Sequence, residues 1–275
     1  MNPFVSPAES EAHVRALRVL QSAGVRVLVG GAYAMFHYTG LVRWTKDLDL
    51  FLIREDEERA RHALERAGYR TEVRDPMWLS KAWWGESFVD LIYSSGNGIA
   101  SVDEAWLRHA PTGEALGVPC RVVPAEEMIW SKGFVQERER WDGADVNHLL
   151  RSCGRTLDWK RLMGRFDAHW EVLLAHLTLF SFTYPPDRDV VPRWVWQELL
   201  ARAARSRAGE GEKVCRGTLL SRVQYSHDVG RWGYRDAREL EVPGFDPTAG
   251  EAPLPLRRPE GAPLESDMEL AAQEV

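Results

Sequence analysis

The stretch VLVGGAYAMFHYTGLVRWTKDLDLFLI, residues 27–53, decides the fold that this sequence predicts. Its first three residues are apolar and indicate a short buried strand, which runs directly into Gly30 and Gly31. A helix-like segment follows and ends near Gly40, and a second strand closes the stretch over 47–53. A strand, a glycine pair, a helix and a second strand in this order predict an α/β fold.

The second strand begins with two aspartates in alternation with leucines. Side chains alternate along a strand, so Asp47 and Asp49 point to one side while Leu48 and Leu50 point into the core. Two like charges at this spacing repel each other, and a divalent cation is the natural reason to place them together. Carboxylate oxygens suit Mg²⁺, which takes one or two protein carboxylates together with waters and substrate phosphates.

The glycine pair, the helix and the Asp-x-Asp strand together resemble the signature of the DNA polymerase β-like nucleotidyltransferase superfamily. The small prokaryotic members are the most similar: antibiotic nucleotidyltransferases, nucleotidyltransferase-type toxins of abortive-infection systems, and uncharacterised relatives. The resemblance implies an α/β (α+β) nucleotidyltransferase fold, in which a small mixed β-sheet flanked by helices is followed by a helical C-terminal domain. It also implies an enzyme that uses an NTP.

The resemblance assigns roles to five residues. It implies that Gly30 and Gly31 hold the triphosphate at a helix N-terminus, where glycine lets backbone N–H groups approach closely. It implies that Asp47 and Asp49 bind Mg²⁺ or Mn²⁺, and that a third carboxylate lies on a later strand. Asp90, in the apolar run SFVDLIY, supplies that carboxylate. Three carboxylates suit two cations about 3.5–4 Å apart on the attacking and leaving oxygens, and the third can draw a proton from an attacking hydroxyl.

Each motif alone has an ordinary explanation. A Gly-Gly pair is usually a turn, and an Asp-Leu-Asp-Leu run is usually a half-exposed strand. Their occurrence together, in this order and with Asp90 downstream, favours the nucleotidyltransferase interpretation.

Residues 124–150 are similar to the segment that follows the catalytic strands in the same small nucleotidyltransferases. Lys132 matches a helix lysine that approaches the phosphates in those relatives, so the resemblance implies a nucleotide contact there. Trp141 stands where the pattern usually has a lysine.

Arg140, Asp142 and Asp145 fall near the second part of that pattern, and two interpretations stay open for them. In one they belong to the site. In the other Asp142 caps a helix and Asp145 pairs with Arg140 or Arg138.

The rest of the chain predicts further elements from hydrophobic periodicity and cap residues. A Ser-x-x-Glu box at Ser101 predicts the start of one helix. The segment 215–225, with two arginines, Thr218 and Ser221, could bind an acceptor or phosphate, although a loop packed against the core is favoured. The other predicted elements are helices over 6–23, 55–67, 159–184 and 195–205, and strands over 69–74, 78–84, 88–93 and 118–123.

Length and composition set the outer limits. A chain of 275 residues suits one large domain or two small ones. We predict a nucleotidyltransferase core over 1–123, a helical domain over 124–238 and a disordered tail over 239–275, where Pro, Gly and Glu dominate. A net charge of −6 argues against a broad nucleic-acid-coating surface.

Cysteine usage and hydropathy predict a cytoplasmic protein. The three cysteines are far apart and no ligand spacing suggests zinc, which fits a reduced compartment. No stretch approaches the roughly 20 apolar residues that a membrane span needs.

The function predicted is Mg²⁺-dependent transfer of an NMP from an NTP to a hydroxyl acceptor bound between the two domains. A small molecule, a tRNA 3′ end and a protein side chain all stay open as acceptors. Two alternatives also stay open: a catalytically inactive nucleotide-binding or interaction module of the same fold, and a toxin with an antitoxin partner.

Overall fold

A computed structural model describes residues 5–206 and 213–246 of the chain. Its centre is a seven-stranded mixed sheet in the order β3-β4-β5-β2-β1-β7-β6. β2 runs parallel to β5 and β1 parallel to β7, while the other neighbours are antiparallel. The predicted fold class, an α/β sheet flanked by helices, is confirmed. The strands are β1 (Leu28–Val29), β2 (Asp47–Phe51), β3 (Arg70–Asp75), β4 (Leu79–Trp84), β5 (Ser87–Ile92), β6 (Thr112–Ala115) and β7 (Val118–Val122).

The helices cover both faces of this sheet, and two short strands form a separate parallel pair late in the chain. Among the described residues, no helix is both long and apolar enough to cross a membrane. The helices are α1 (Pro7–Ser22), α2 (Gly31–Thr39), α3 (Glu57–Arg66), α4 (Glu104–His109), α5 (Ala125–Gly133), α6 (Gly143–Cys153), α7 (Trp159–Phe166), α8 (Trp170–Thr183), α9 (Arg193–Arg205), α10 (Ser226–Gly230) and α11 (Arg238–Glu241), and the short pair is β8 (Val214–Cys215) and β9 (Arg235–Asp236).

The alternation of β2 divides the core into two clusters. Leu48 and Leu50 are fully buried on the face covered by α1 and α3. Phe51 points to the other face, where its ring stacks on Trp106 with centroids 5.5 Å apart, inside the cluster formed with the later helices. The even positions of β2 therefore build one core cluster, and the odd positions face the helices that follow the sheet, with the two aspartates first and Phe51 in the second cluster.

Two local predictions need correction. The helix near Ser101 is capped by Asp103, which accepts from the N–H groups of Ala105 and Trp106, so the Ser-x-x-Glu box does not form. The single helix predicted over 159–184 breaks at Asp167, whose φ is +33°. An interruption there lets α7 and α8 pack separately on the core.

The strand β6 had no clear sequence signal. It pairs with β7 through a tight turn at Leu116 and Gly117, which both have positive φ. A leucine in that conformation is uncommon, and this is why the turn was missed. The predicted domain boundary at residue 123 stays a prediction. Of the predicted tail, residues 247–275 lie outside the described part of the chain.

Candidate functional site

Three aspartates meet on the sheet face that points toward the later helices. β2 and β5 are parallel neighbours, and their register places Asp49 directly beside Asp90. Asp47, Asp49 and Asp90 each offer a carboxylate oxygen, and these oxygens lie within 4.8 Å of one another. Asp90 is buried and the other two are half-buried. The structure thus brings together the three carboxylates that the sequence singled out, and we refer to them as the triad.

The glycine pair lies against this triad. The Gly30 N–H donates to the backbone oxygen of Asp49 at 2.9 Å, and α2 begins at Gly31. Gly31 has a φ of +53°, and a Cβ atom there would overlap the Asp49 carboxylate. A Cβ atom at Gly30 would overlap the Phe51 ring. Only glycine therefore lets the N-terminus of α2 come this close to the triad.

The electrostatics of the triad are those of a crowded acidic site. The pKa of Asp49 is raised to about 7, first by burial and then by the charges of Asp47 and Asp90, against the opposing charges of Lys132 and Arg140. Burial also raises the pKa of Asp90. Three oxygen donors that repel one another in this way match the donor set of a hard divalent cation such as Mg²⁺ or Mn²⁺.

Two polar contacts of the triad were missed by the sequence analysis. The Thr45 hydroxyl donates to Asp47 Oδ1 at 2.5 Å, and Lys81 Nζ lies 2.6 Å from Asp90 Oδ1. Thr45 is only two residues from Asp47, so the local sequence could have predicted this hydrogen bond. Lys81 depends on the register between β4 and β5, which sequence patterns alone do not specify.

Lys132 lies in a separate charged cluster on α5 and α6. Its Nζ is 2.8 Å from Asp142 Oδ2 and 2.7 Å from Asp145 Oδ2. Arg140 also bonds Asp142, and Arg43 bonds Asp145. Lys132 acts on the triad through its charge, which lowers the pKa of Asp49. Its contact with phosphate stays a prediction.

The second interpretation of this segment, in which Asp142 caps a helix and Asp145 pairs with Arg140 or Arg138, needs correction. Asp142 holds the N-cap position of α6 but its side chain makes no capping bond. Burial acts to raise its pKa, yet bonds from Arg140 and Lys132 outweigh burial, and the pKa of Asp142 is lowered. Asp145 pairs with Arg43 and Lys132 rather than with Arg140 or Arg138.

The segment around Thr218 and Ser221 packs as a loop against the core, as favoured. Both side chains are buried. The Leu219 oxygen accepts from Asn97 at 2.7 Å, and Ser221 bonds Glu137.

A carboxylate triad beside a glycine turn and a helix N-terminus is an arrangement that can hold a divalent cation next to a phosphate group. The sequence comparison agrees, because residues 9–163 match a family described as "nucleotidyl transferase of unknown function" (DUF2204). The match covers more than half of the 275 residues, so the chain belongs to this family. The predicted relationship and the predicted enzyme class, a nucleotidyltransferase, are confirmed.

Solved structures give weaker similarities of the same kind. The antibiotic-resistance factor ANT(2'')-Ia is 19% identical, with 62% of this chain and 96% of that chain covered and a TM-score of 0.43. The lincosamide antibiotic adenylyltransferase LnuA is 15% identical (53% and 97% covered, TM-score 0.38). An antigenic nucleotidyltransferase-like protein from Paracoccidioides brasiliensis is 15% identical (68% and 93% covered, TM-score 0.44). No curated protein matches.

Proposed function

We propose that this nucleotidyltransferase moves an NMP from an NTP to a hydroxyl acceptor, with Mg²⁺ or Mn²⁺ held by Asp47, Asp49 and Asp90. One observation carries the proposal: three carboxylate oxygens within 4.8 Å of one another, on the sheet face reached by the N-terminus of α2. Three crowded carboxylates that share one direct ion pair within the described residues, from Lys81, favour a bound divalent ion. A helix N-terminus carries a partial positive charge and therefore attracts phosphate.

The glycine turn and the triad have different roles in the transfer. Backbone N–H groups at Gly30 and Gly31 bind the triphosphate, where a side chain on Gly31 would block the approach to Asp49. When bound to the triad, the cation supplies charge neutralisation for the phosphoryl group and its leaving oxygen. The acceptor oxygen forms a bond to the α-phosphorus as the bond to the β-phosphate oxygen breaks, and pyrophosphate leaves. Asp90 accepts the hydroxyl proton.

The acceptor binds on the face where the triad meets the later helices. Its chemical identity stays open between a small molecule, a tRNA 3′ end and a protein side chain. Lys132 adds positive charge beside Asp49, so it favours the bound triphosphate even while it pairs with Asp142 and Asp145.

Isothermal titration of the four NTPs with Mg²⁺ tests the proposal. The wild-type chain is expected to bind at least one NTP only when Mg²⁺ is present. An Asp47→Asn/Asp49→Asn variant should lose this binding by about 100-fold or more, because the cation loses two charged ligands. No binding by the wild type at millimolar NTP would refute the donor site. Binding without transfer to any hydroxyl acceptor would instead indicate a catalytically inactive nucleotide-binding module.

A further inference from the structure

A lysine outside the predicted site contacts the triad directly. Lys81 on β4 and Asp90 on β5 are register partners in an antiparallel pair, so their side chains share one face. Lys81 Nζ lies 2.6 Å from Asp90 Oδ1, and the two side chains are only 18% and 12% exposed. The hairpin therefore fixes this ion pair, and little water screens it.

Two aromatic rings hold the lysine in place. Lys81 Nζ lies 4.1 Å from the centroid of the Phe88 ring and 5.9 Å from that of Trp83, and these two rings pack together at 4.8 Å. A cation over an aromatic face is stabilised most where water is excluded. The ammonium group is thus held against Asp90 by its neighbours as well as by the carboxylate.

This ion pair alters what the triad offers to a cation. Asp90 Oδ1 is engaged by Lys81, so a cation that coordinates Asp90 takes the other oxygen or displaces the ammonium group. Because the triad oxygens lie within 4.8 Å of one another, a cation there is also repelled by the nearby positive charge. Both effects weaken cation binding.

We propose that Lys81 is a positioning residue that acts as an internal counter-ion of Asp90 and competes with the divalent cation for this carboxylate. The inference rests on the proposed function, since it takes the triad as the cation site. Before metal arrives, Lys81 offsets one of three crowded negative charges. It thereby keeps the affinity of the metal-free protein for the cation low.

Titration of the full-length chain with Mn²⁺ alone, followed by the electron paramagnetic resonance signal of free Mn²⁺, tests this directly. Lys81→Met is expected to bind Mn²⁺ about tenfold more tightly than the wild type, because the competing charge is gone. Lys81→Arg keeps the charge and should stay within about twofold of the wild type. Lys160→Met, which removes an exposed lysine on α7, is the matched control and should change nothing.

A merely structural role for Lys81 would weaken Mn²⁺ binding or leave it unchanged, and either result overturns the proposal. Part of the effect must also pass through Asp90. Lys81→Met should therefore tighten Mn²⁺ binding by less in an Asp90→Asn background than in the wild type, because only the repulsion by the ammonium charge is left to remove. An equal gain in both backgrounds would contradict competition for the Asp90 carboxylate. If Lys81→Met fails to fold, as judged by circular dichroism, Lys81→Gln keeps a donor without the charge. Wild-type Mn²⁺ binding that survives Asp47→Asn/Asp49→Asn would refute the cation site of the proposed function instead.

Discussion

Two buried acidic clusters in this molecule are built in opposite ways. In the triad, three aspartates converge, and within the described residues their direct ion pair is the one from Lys81 to Asp90. On α5, Glu127 is fully buried, and Arg161 binds both of its oxygens at 2.8 and 2.7 Å. Arg165 adds a third bond at 3.1 Å.

The comparison shows two uses of buried charge. The charge of Glu127 stabilises the fold through ion pairs, whereas we infer that the charges of the triad bind a ligand. Burying a carboxylate is costly, and arginine donors to both of its oxygens offset part of that cost. The Glu127 cluster has such donors and ties α5 to α7, while burial still raises the pKa of Glu127 against the charges of Arg161 and Arg165. In the triad, Lys81 compensates the charge of Asp90, and no ion pair within the described residues compensates Asp47 or Asp49. The protein therefore retains an unfavourable arrangement that a divalent cation would relieve. Neutralising substitutions should therefore change stability in opposite directions at the two places.

The largest effect is expected at Glu127. Glu127→Gln removes the buried carboxylate that Arg161 and Arg165 share, and leaves them paired with Glu126 and Asp103 alone. We expect a loss of about 3 kcal/mol in the free energy of unfolding. Chemical denaturation measures it. Glu198→Gln is the matched control, because Glu198 forms an exposed pair with Arg202 on α9 and should cost less than about 0.5 kcal/mol. Equal losses in the two variants would mean that the buried Glu127 cluster stabilises the fold no more than an exposed ion pair does.

The opposite sign is expected in the triad. Asp49→Asn removes a charge that burial and its neighbours disfavour, so the metal-free protein in EDTA at pH 7.5 should gain about 1–3 kcal/mol. Asp145→Asn is the control, since Asp145 is paired with Lys132 and Arg43 and its neutralisation should destabilise. If Asp49→Asn destabilised the protein as much as Asp145→Asn, the triad would stabilise the fold in the same way as the Glu127 cluster.

The glycine turn offers a smaller and more local test. Gly31→Ala places a Cβ against the Asp49 carboxylate at a left-handed φ, whereas Gly40→Ala meets a similar φ of +70° with open space around it. We expect Gly40→Ala to cost about 1 kcal/mol and Gly31→Ala about 1 kcal/mol more. Mg²⁺-dependent NTP titration should be impaired only by Gly31→Ala. Normal NTP binding by Gly31→Ala would mean that the glycine turn is not part of the NTP site.

The smallest change between successive measurements is expected in a dependence on pH. The folded-state pKa of Asp49, raised to about 7, lies above its unfolded value, so the folded state binds the extra proton and this stability is lost as pH rises through 7. In EDTA, the unfolding free energy of the wild type minus that of Asp49→Asn should fall between about pH 4 and 7. The slope should not exceed about 1.4 kcal/mol per pH unit. A flat difference would mean that Asp49 titrates normally.

Much of the fold and of the triad was predictable because the signals are local. Alternation in β2 correctly separated Asp47 and Asp49 from Leu48 and Leu50. The glycine pair and the start of the helix predicted over 6–23 were equally clear, since turns and caps depend on a few consecutive residues. In the structure, Ser6 and Glu9 form a capping box at the start of this helix. The breaks at Asp167 and the turn at Leu116 were missed, because packing there forces conformations that residue preferences argue against.

The sequence by itself determined which residue types are available, and it placed Asp47, Asp49 and Asp90 on strands with the correct facing. Tertiary structure alone decided which charges meet. The parallel register of β2 and β5 brings Asp49 to Asp90, the antiparallel register of β4 and β5 brings Lys81, and the packing of α5 on α6 gives Lys132 two aspartate partners. The physical reason is that strand register and helix packing are set by the burial of the whole core, so long-range charge pairs cannot be inferred from local periodicity.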